Sequence, residues 1–169
     1  MRTPLALVAW LAMATGGAAA KTVPPDPWEV IHAARVFGEA SVGRDALRDP
    51  LITGIVDGLR YEIAFYGCWL GRECKTILFQ AHFRDPRWGD GGPDAEAMAA
   101  WNRAKLIGRA SIPESGGAVL DHAVAMASGL PRPTLDATFA AWLDALREFA
   151  EYVDFKAEKH GSSGPENGG

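Results

Sequence analysis

Residues 49–86, DPLITGIVDGLRYEIAFYGCWLGRECKTILFQAHFRDP, constrain the fold more than any other part of the chain. Leu51 to Val56 is an apolar run that ends at Asp57-Gly58. Asp-Gly is a dipeptide that a two-residue hairpin turn selects, because both central residues take positive φ. On the return, Leu59, Tyr61, Ile63 and Phe65 alternate with Arg60, Glu62, Ala64 and Tyr66. A period of two puts the first set on one face of a strand. The alternation resumes with Ile77, Phe79, Ala81 and Phe83, set against Thr76, Leu78, Gln80 and His82. Between them lies a longer turn, Trp69-Leu70-Gly71-Arg72-Glu73, with Gly71 suited to the left-handed conformation. Three consecutive antiparallel strands are expected, with Cys68 and Cys74 at the two sides of the second turn.

The reading of those cysteines depends on the first residues. Met1-Arg2-Thr3-Pro4 is a short basic segment, Leu5 to Ala14 is uncharged and apolar, and Thr15 to Ala20 is small. That order is the pattern of a secretory signal peptide over residues 1–20, cut between Ala20 and Lys21. About ten apolar residues fall short of the roughly 20 that span a bilayer, so no stable membrane insertion is expected. The mature protein is expected to be periplasmic or secreted. In an oxidising compartment two cysteines at close spacing are most simply a disulfide. A metal site would be half filled by two thiols, and a redox pair would more typically be C-x-x-C at a helix start. The ring is short, so the entropic account gives it about 2 kcal/mol.

Elsewhere the chain divides into a lead-in (21–27), one domain (28–155) and a small, polar tail (156–169) expected to be disordered. Asp26-Pro27-Trp28-Glu29 starts a helix that runs to about Gly38, with Asp26 as cap. Residues 40–48 read as an irregular connection or an edge strand. Residues 85–93, with two prolines and three glycines, read as a mobile loop carrying Trp88. A helix is expected from Asp94 to about Leu106, then strands over 107–112 and 118–127. On the second of these, Leu120, His122, Val124 and Met126 share a face. After Pro131-Arg132-Pro133 a last helix should be capped by Thr134. It carries the cleanest apolar stripe in the chain: Leu135, Phe139, Trp142, Leu146, Phe149 and Val153. The stripe packs on the sheet or forms a helix–helix dimer seam. Hairpin-linked strands with segregated helices make an α+β protein, in the order α-β-β-β-α-β-β-α, with an antiparallel sheet of about five strands.

The sequence resembles the YbjN family, described as "putative bacterial sensory transduction regulators". The resemblance is carried by Asp49-Pro50-Leu51-Ile52, the Asp57-Gly58 turn, Tyr61, Phe65-Tyr66-Gly67-Cys68 and Cys74. It continues in Trp101-Asn102-Arg103, Lys105, Gly108-Arg109-Ala110 and the Phe139/Trp142/Phe149 helix, and so spans about Val30 to Phe155. The resemblance implies a fold similar to type III secretion chaperones and no catalytic residues. Those chaperones act in the cytoplasm, whereas this chain carries an export pattern, so the resemblance concerns architecture.

No catalytic constellation is legible. His32, His82, His122 and His160 lack metal-ligand spacing, although His82 and His122 could meet in the sheet. Glu62, Glu114 and Asp121 stand as isolated carboxylates. Asn102 is expected to hold its helix to the sheet through backbone hydrogen bonds. No metal or cofactor is expected. A net charge of −4 without a Lys/Arg run suggests no nucleic-acid partner. What remains are aromatics in loops, Trp69 and Trp88, which either present a partner surface or fold back onto the sheet edge. Two readings stay open. One is a non-enzymatic exported adaptor or chaperone-like module that meets an unknown protein partner or a second copy of itself as a homodimer. The alternative is a periplasmic small-ligand-binding or hydrolytic envelope protein with a pocket between sheet and last helix.

Overall fold

The computed structural model describes residues 21–89 and 91–157. The expected signal segment, and the tail beyond Ala157, lie outside the described residues.

Strand alternation builds a six-stranded antiparallel sheet. Its strands are β2 (Glu39–Arg44), β3 (Pro50–Val56), β4 (Leu59–Tyr66), β5 (Thr76–Phe83), β6 (Arg109–Ser111) and β7 (Ala118–Ala125), in the order β2-β3-β4-β5-β7-β6. A separate two-stranded clasp pairs β1 (Thr22–Val23) with β8 (Leu130–Pro131). The strand number therefore exceeds the expected five, while the α+β class stands. The additional strands are short or polar: β2 lies at the sheet's edge with little buried side chain, and β1 and β8 are too brief to show a period.

Among the described residues there are three α-helices: α1 (Pro27–Phe37), α2 (Ala95–Ala104) and α3 (Arg132–Tyr152). The Asp26 carboxylate accepts the Trp28 N–H at 2.9 Å, and Pro27 occupies the first turn, where no N–H is needed. Asp94 caps α2 in the same way, through the Ala97 N–H at 2.8 Å. The last helix departs from expectation. It begins at Arg132, ahead of Thr134, and has no side-chain cap. Pro133 is tolerated in the first turn because its missing N–H would have had no intrahelical partner. The Arg132 N–H instead donates to the Lys21 carbonyl at 2.8 Å, tying the helix start to the β1–β8 clasp.

Both α1 and α3 lie on one face of the sheet and meet each other. All six stripe residues of α3 are buried there, so the stripe is core and is not available as a dimer seam. Phe79 stands edge-on to Phe139 at 5.0 Å and tilts against Trp142 at 5.6 Å; Phe83 meets Phe149 at 5.1 Å. Each such pair contributes about 0.5–1.5 kcal/mol beyond its buried area. These aromatic side chains occupy space between sheet and last helix, where the alternative reading placed a pocket. The Asn102 side chain holds α2 to β6 as expected: it accepts the Ala110 N–H at 2.7 Å and donates to the Ala110 carbonyl at 2.9 Å. Trp101 adds a bond from Nε1 to the Gly108 carbonyl at 2.7 Å. No helix among the described residues is long and apolar enough to cross a membrane.

Candidate functional site

Strand parity decides which side chains can act together. His82 pairs with Val119 in the ladder and His122 with Phe79, so the two histidines point to opposite faces and do not meet. His122 stays on the helix-covered face, where burial pushes its imidazole below the ordinary pKa against the opposing pull of Asp121. Glu62, Gln80 and Asp121 stand in one cross-strand row on the open face, with the amide between the carboxylates. Glu114 lies apart, in the turn between β6 and β7. Among the described residues no three His, Cys, Asp or Glu side chains converge as a metal site would need.

The distinctive surface is the loop between β4 and β5. Cys68 and Cys74 are disulfide-bonded, with Cα atoms 3.8 Å apart. Inside the ring, Trp69 and Arg72 exchange backbone hydrogen bonds at 2.6 and 2.9 Å, leaving Leu70 and Gly71 at the tip with φ of 51° and 74°. Glycine adopts that conformation freely; leucine pays about 1–2 kcal/mol for it. The ring is anchored from outside as well. Cys74 is buried and its N–H donates to the Pro25 carbonyl at 2.9 Å, while the Arg72 guanidinium lies 3.3 Å from the Asp26 carboxylate that caps α1.

This anchored loop lifts its apolar side chains into solvent: Trp69 is 71% exposed and Leu70 87%. Leu47, in the β2–β3 turn at the same end of the sheet, is 82% exposed. That turn is also ordered, by an Asp45 carboxylate accepting the Leu47 and Asp49 N–H groups at 2.9 and 2.8 Å. Trp28 at the start of α1 and Tyr66 at the end of β4 complete an apolar rim. Exposed apolar residues held on ordered backbone are what a protein-binding surface requires. Of these exposed residues, sequence reasoning named Trp69 as a candidate and did not name Leu70, Leu47 or Trp28. Leu70 carried a signal, since it precedes Gly71 at a two-residue tip; the other two join the rim only through the fold.

Trp88 is not part of this rim. It lies beyond β5, at the other end of the sheet, half-buried against Phe155 with ring centroids 6.4 Å apart. Within residues 85–93, expected to form a loop, Pro86–Trp88 make a single 3-10 turn. The nearly buried Asp85 carboxylate accepts the Arg87 N–H and Nε, both at 2.9 Å, and closes a tight ion pair with Arg87 Nη2. That guanidinium holds the Asp85 carboxyl well below the usual carboxylate range. Arg87 Nη2 also donates to the Asp154 carbonyl at 2.7 Å, so the turn and the segment after α3 are fixed together.

In the core, burial pushes the Tyr61 phenol up to about 12, and its hydroxyl finds no hydrogen-bond partner. Its ring occupies the space where a Cβ on Gly54 would stand, 2.3 Å from Tyr61 Cζ.

A family model described as "Putative bacterial sensory transduction regulator", YbjN, matches residues 33–155. Among solved structures, a chain of the ExsC-ExsE complex is similar at a TM-score of 0.52 and 17% identity, covering 73% of this chain and 89% of that one. A chain of the HopA1-SchA chaperone-effector complex has a TM-score of 0.47 and 18% identity, covering 71% and 88%. No curated protein matches the sequence. The fold is α+β and type III secretion chaperone-like.

Proposed function

This chain belongs to the YbjN family, and from that premise we propose that it is a non-enzymatic adaptor or chaperone-like module that binds another protein. The observation that carries the reading is the disulfide-closed loop, which holds Trp69 and Leu70 in solvent at the cost of a left-handed leucine. A loop that spends conformational energy to expose apolar side chains is built for contact. A chain of similar fold occurs in a complex, that of ExsC with ExsE, which supports a protein partner. The partner acts where the disulfide is stable: the basic, apolar and small segments of residues 1–20 direct export, and cleavage after Ala20 releases a periplasmic or secreted protein.

The test uses a photo-crosslinking amino acid at position 69 or 47 in exported protein. One specific adduct should form, and Trp69→Ala or Leu70→Ser should weaken the purified pair at least about tenfold, as loss of an anchor does. Absence of a specific adduct, or affinity unchanged by both substitutions, overturns the reading.

A further inference from the structure

At the end of the sheet away from the disulfide lies a cavity of ≈ 440 Å³, within the size range of small-molecule sites. It is bounded by the β3–β4 hairpin, the end of β5 with the residues that follow, and the segment after α3. Its walls divide by chemistry. Ile55 and Phe155 supply a partly exposed apolar surface over the buried Leu59 and Phe83, while Arg60, Arg84 and Lys156 bring cationic side chains to the same opening.

The charge balance here is unlike that of the whole chain, in which 21 acidic residues outnumber 17 basic ones. Around the cavity the basic residues Arg60, Arg84, Arg87 and Lys156, with the imidazole of His82, are faced by one lining carboxylate, Asp85. Asp85 is already committed to Arg87 and accepts the Lys156 N–H at 3.4 Å. The Lys156 ammonium is met by Asp154 at 2.9 Å. Among the described residues Arg60 and Arg84 have no carboxylate partner. They come from different elements, β4 and the segment after β5, so the fold rather than a local sequence run brings them to one cavity.

We propose that this cavity binds a small organic anion, a carboxylate or phosphomonoester carrying an apolar body. The guanidinium groups of Arg60 and Arg84 take the charged head; planar donors of this kind pair with either anion in a bidentate manner. Ile55 and Phe155 take the apolar body. The ligand contacts both the hairpin and the segment after α3, so binding stabilises the native state by mass action. The site is independent of the Trp69 rim, and either can fail alone.

The test is calorimetric titration of the exported protein at low salt with four probes: sodium octanoate, phenyl phosphate, 1-octanol and inorganic phosphate. Octanoate or phenyl phosphate should bind saturably with Kd near or below about 1 mM, and their relative strength distinguishes carboxylate from phosphate as the preferred head. The neutral alcohol and inorganic phosphate should bind at least about tenfold more weakly. Arg60→Gln with Arg84→Gln should abolish the binding, whereas Arg103→Gln, on exposed α2 surface, should not. Circular dichroism of each variant establishes folding. Amide NMR shifts on adding probe to the unaltered protein give a second readout: Gly58 and Phe83 should move and Trp69 should not. Four results overturn the proposal: no saturable binding by either amphiphile, inorganic phosphate binding equally well (an adventitious ion only), binding unchanged in the folded double variant, or shifts confined to another surface.

Discussion

At the β3–β4 turn the positive-φ residues are Asp57 (52°) and Gly58 (78°); at the tip of the β4–β5 loop they are Leu70 (51°) and Gly71 (74°). The backbones nearly coincide in φ, yet the chemistry differs. Asp-Gly adopts this turn with little strain, and Asp57 adds an exposed ion pair to Arg147 at 2.7 Å. Leucine at the equivalent position is held there by a covalent ring and by the anchors to Pro25 and Asp26. Where residue and geometry agree, the turn serves the fold; where they conflict and cross-links enforce the geometry, the loop is the one the proposed function assigns to partner contact. The same contrast extends to the two ends of the sheet. One end is closed by a disulfide, the other by the nearly buried Asp85 carboxylate and its half-exposed partner Arg87.

Acid and reductant should therefore loosen opposite ends. The largest effect is expected at Asp85. Its carboxyl pKa is lowered in the folded state, so its stabilising contribution is present above the unfolded carboxylate range and is lost as pH falls toward the folded value. The urea midpoint of Asp85→Asn should fall well below that of the unaltered protein at pH 7, and the gap should narrow toward pH 3. A gap that widens in acid would break the assignment. Amide exchange should quicken in this variant at Phe155 and Lys156 while the Trp69 ring stays unchanged.

Next in size is Cys68→Ser with Cys74→Ser, expected to lower stability by about 2 kcal/mol in urea unfolding. Exchange should then rise around Leu70 and remain unchanged near Asp85. Intact mass without reductant should show the loss of two hydrogens; two free thiols in exported protein would remove the basis of the comparison.

The smallest effects come from exchanging turn chemistry. Asp57→Leu should cost about 1–2 kcal/mol, whereas Leu70→Asn, better suited to left-handed φ, should gain about 0.5–1 kcal/mol while weakening partner binding. Equal and opposite shifts in melting temperature and affinity at position 70 would sharpen the contrast. A stability loss in Leu70→Asn would refute it.

Much of the architecture is legible in local pattern. Tyr61, Ile63 and Phe65, then Ile77, Phe79 and Ala81, alternate cleanly because one face is helix-covered and the other is open. The α3 stripe and Asn102 were equally readable, since each acts within a few turns of its own element. Contacts set by tertiary placement were not. Trp88 finds Phe155 only once the segment after α3 folds back, and β1 becomes a strand only because Leu130–Pro131 lies beside it. His82 and His122 looked able to meet until ladder register put them on opposite faces. The rim was half legible: aromatic content marked Trp69, but Leu47 sits among charges and reaches the same end through β2–β3 pairing. The Arg60–Arg84 cavity left no trace in spacing, because its residues are assembled from three separated segments.

The placement of the Tyr61 ring over Gly54 has a consequence for how this sequence can change. A Cβ at 54 would overlap the ring, so Gly54→Ala alone forces a large aromatic side chain out of a filled core. Tyr61→Ala alone leaves an unfilled cavity and costs several kcal/mol, roughly 3–5 for a large aromatic. Each step is harmful, yet a small residue at 61 makes room for a larger one at 54. A survey of single substitutions would therefore record two intolerant positions, while a double-mutant cycle would show one interchangeable unit of volume shared across neighbouring strands.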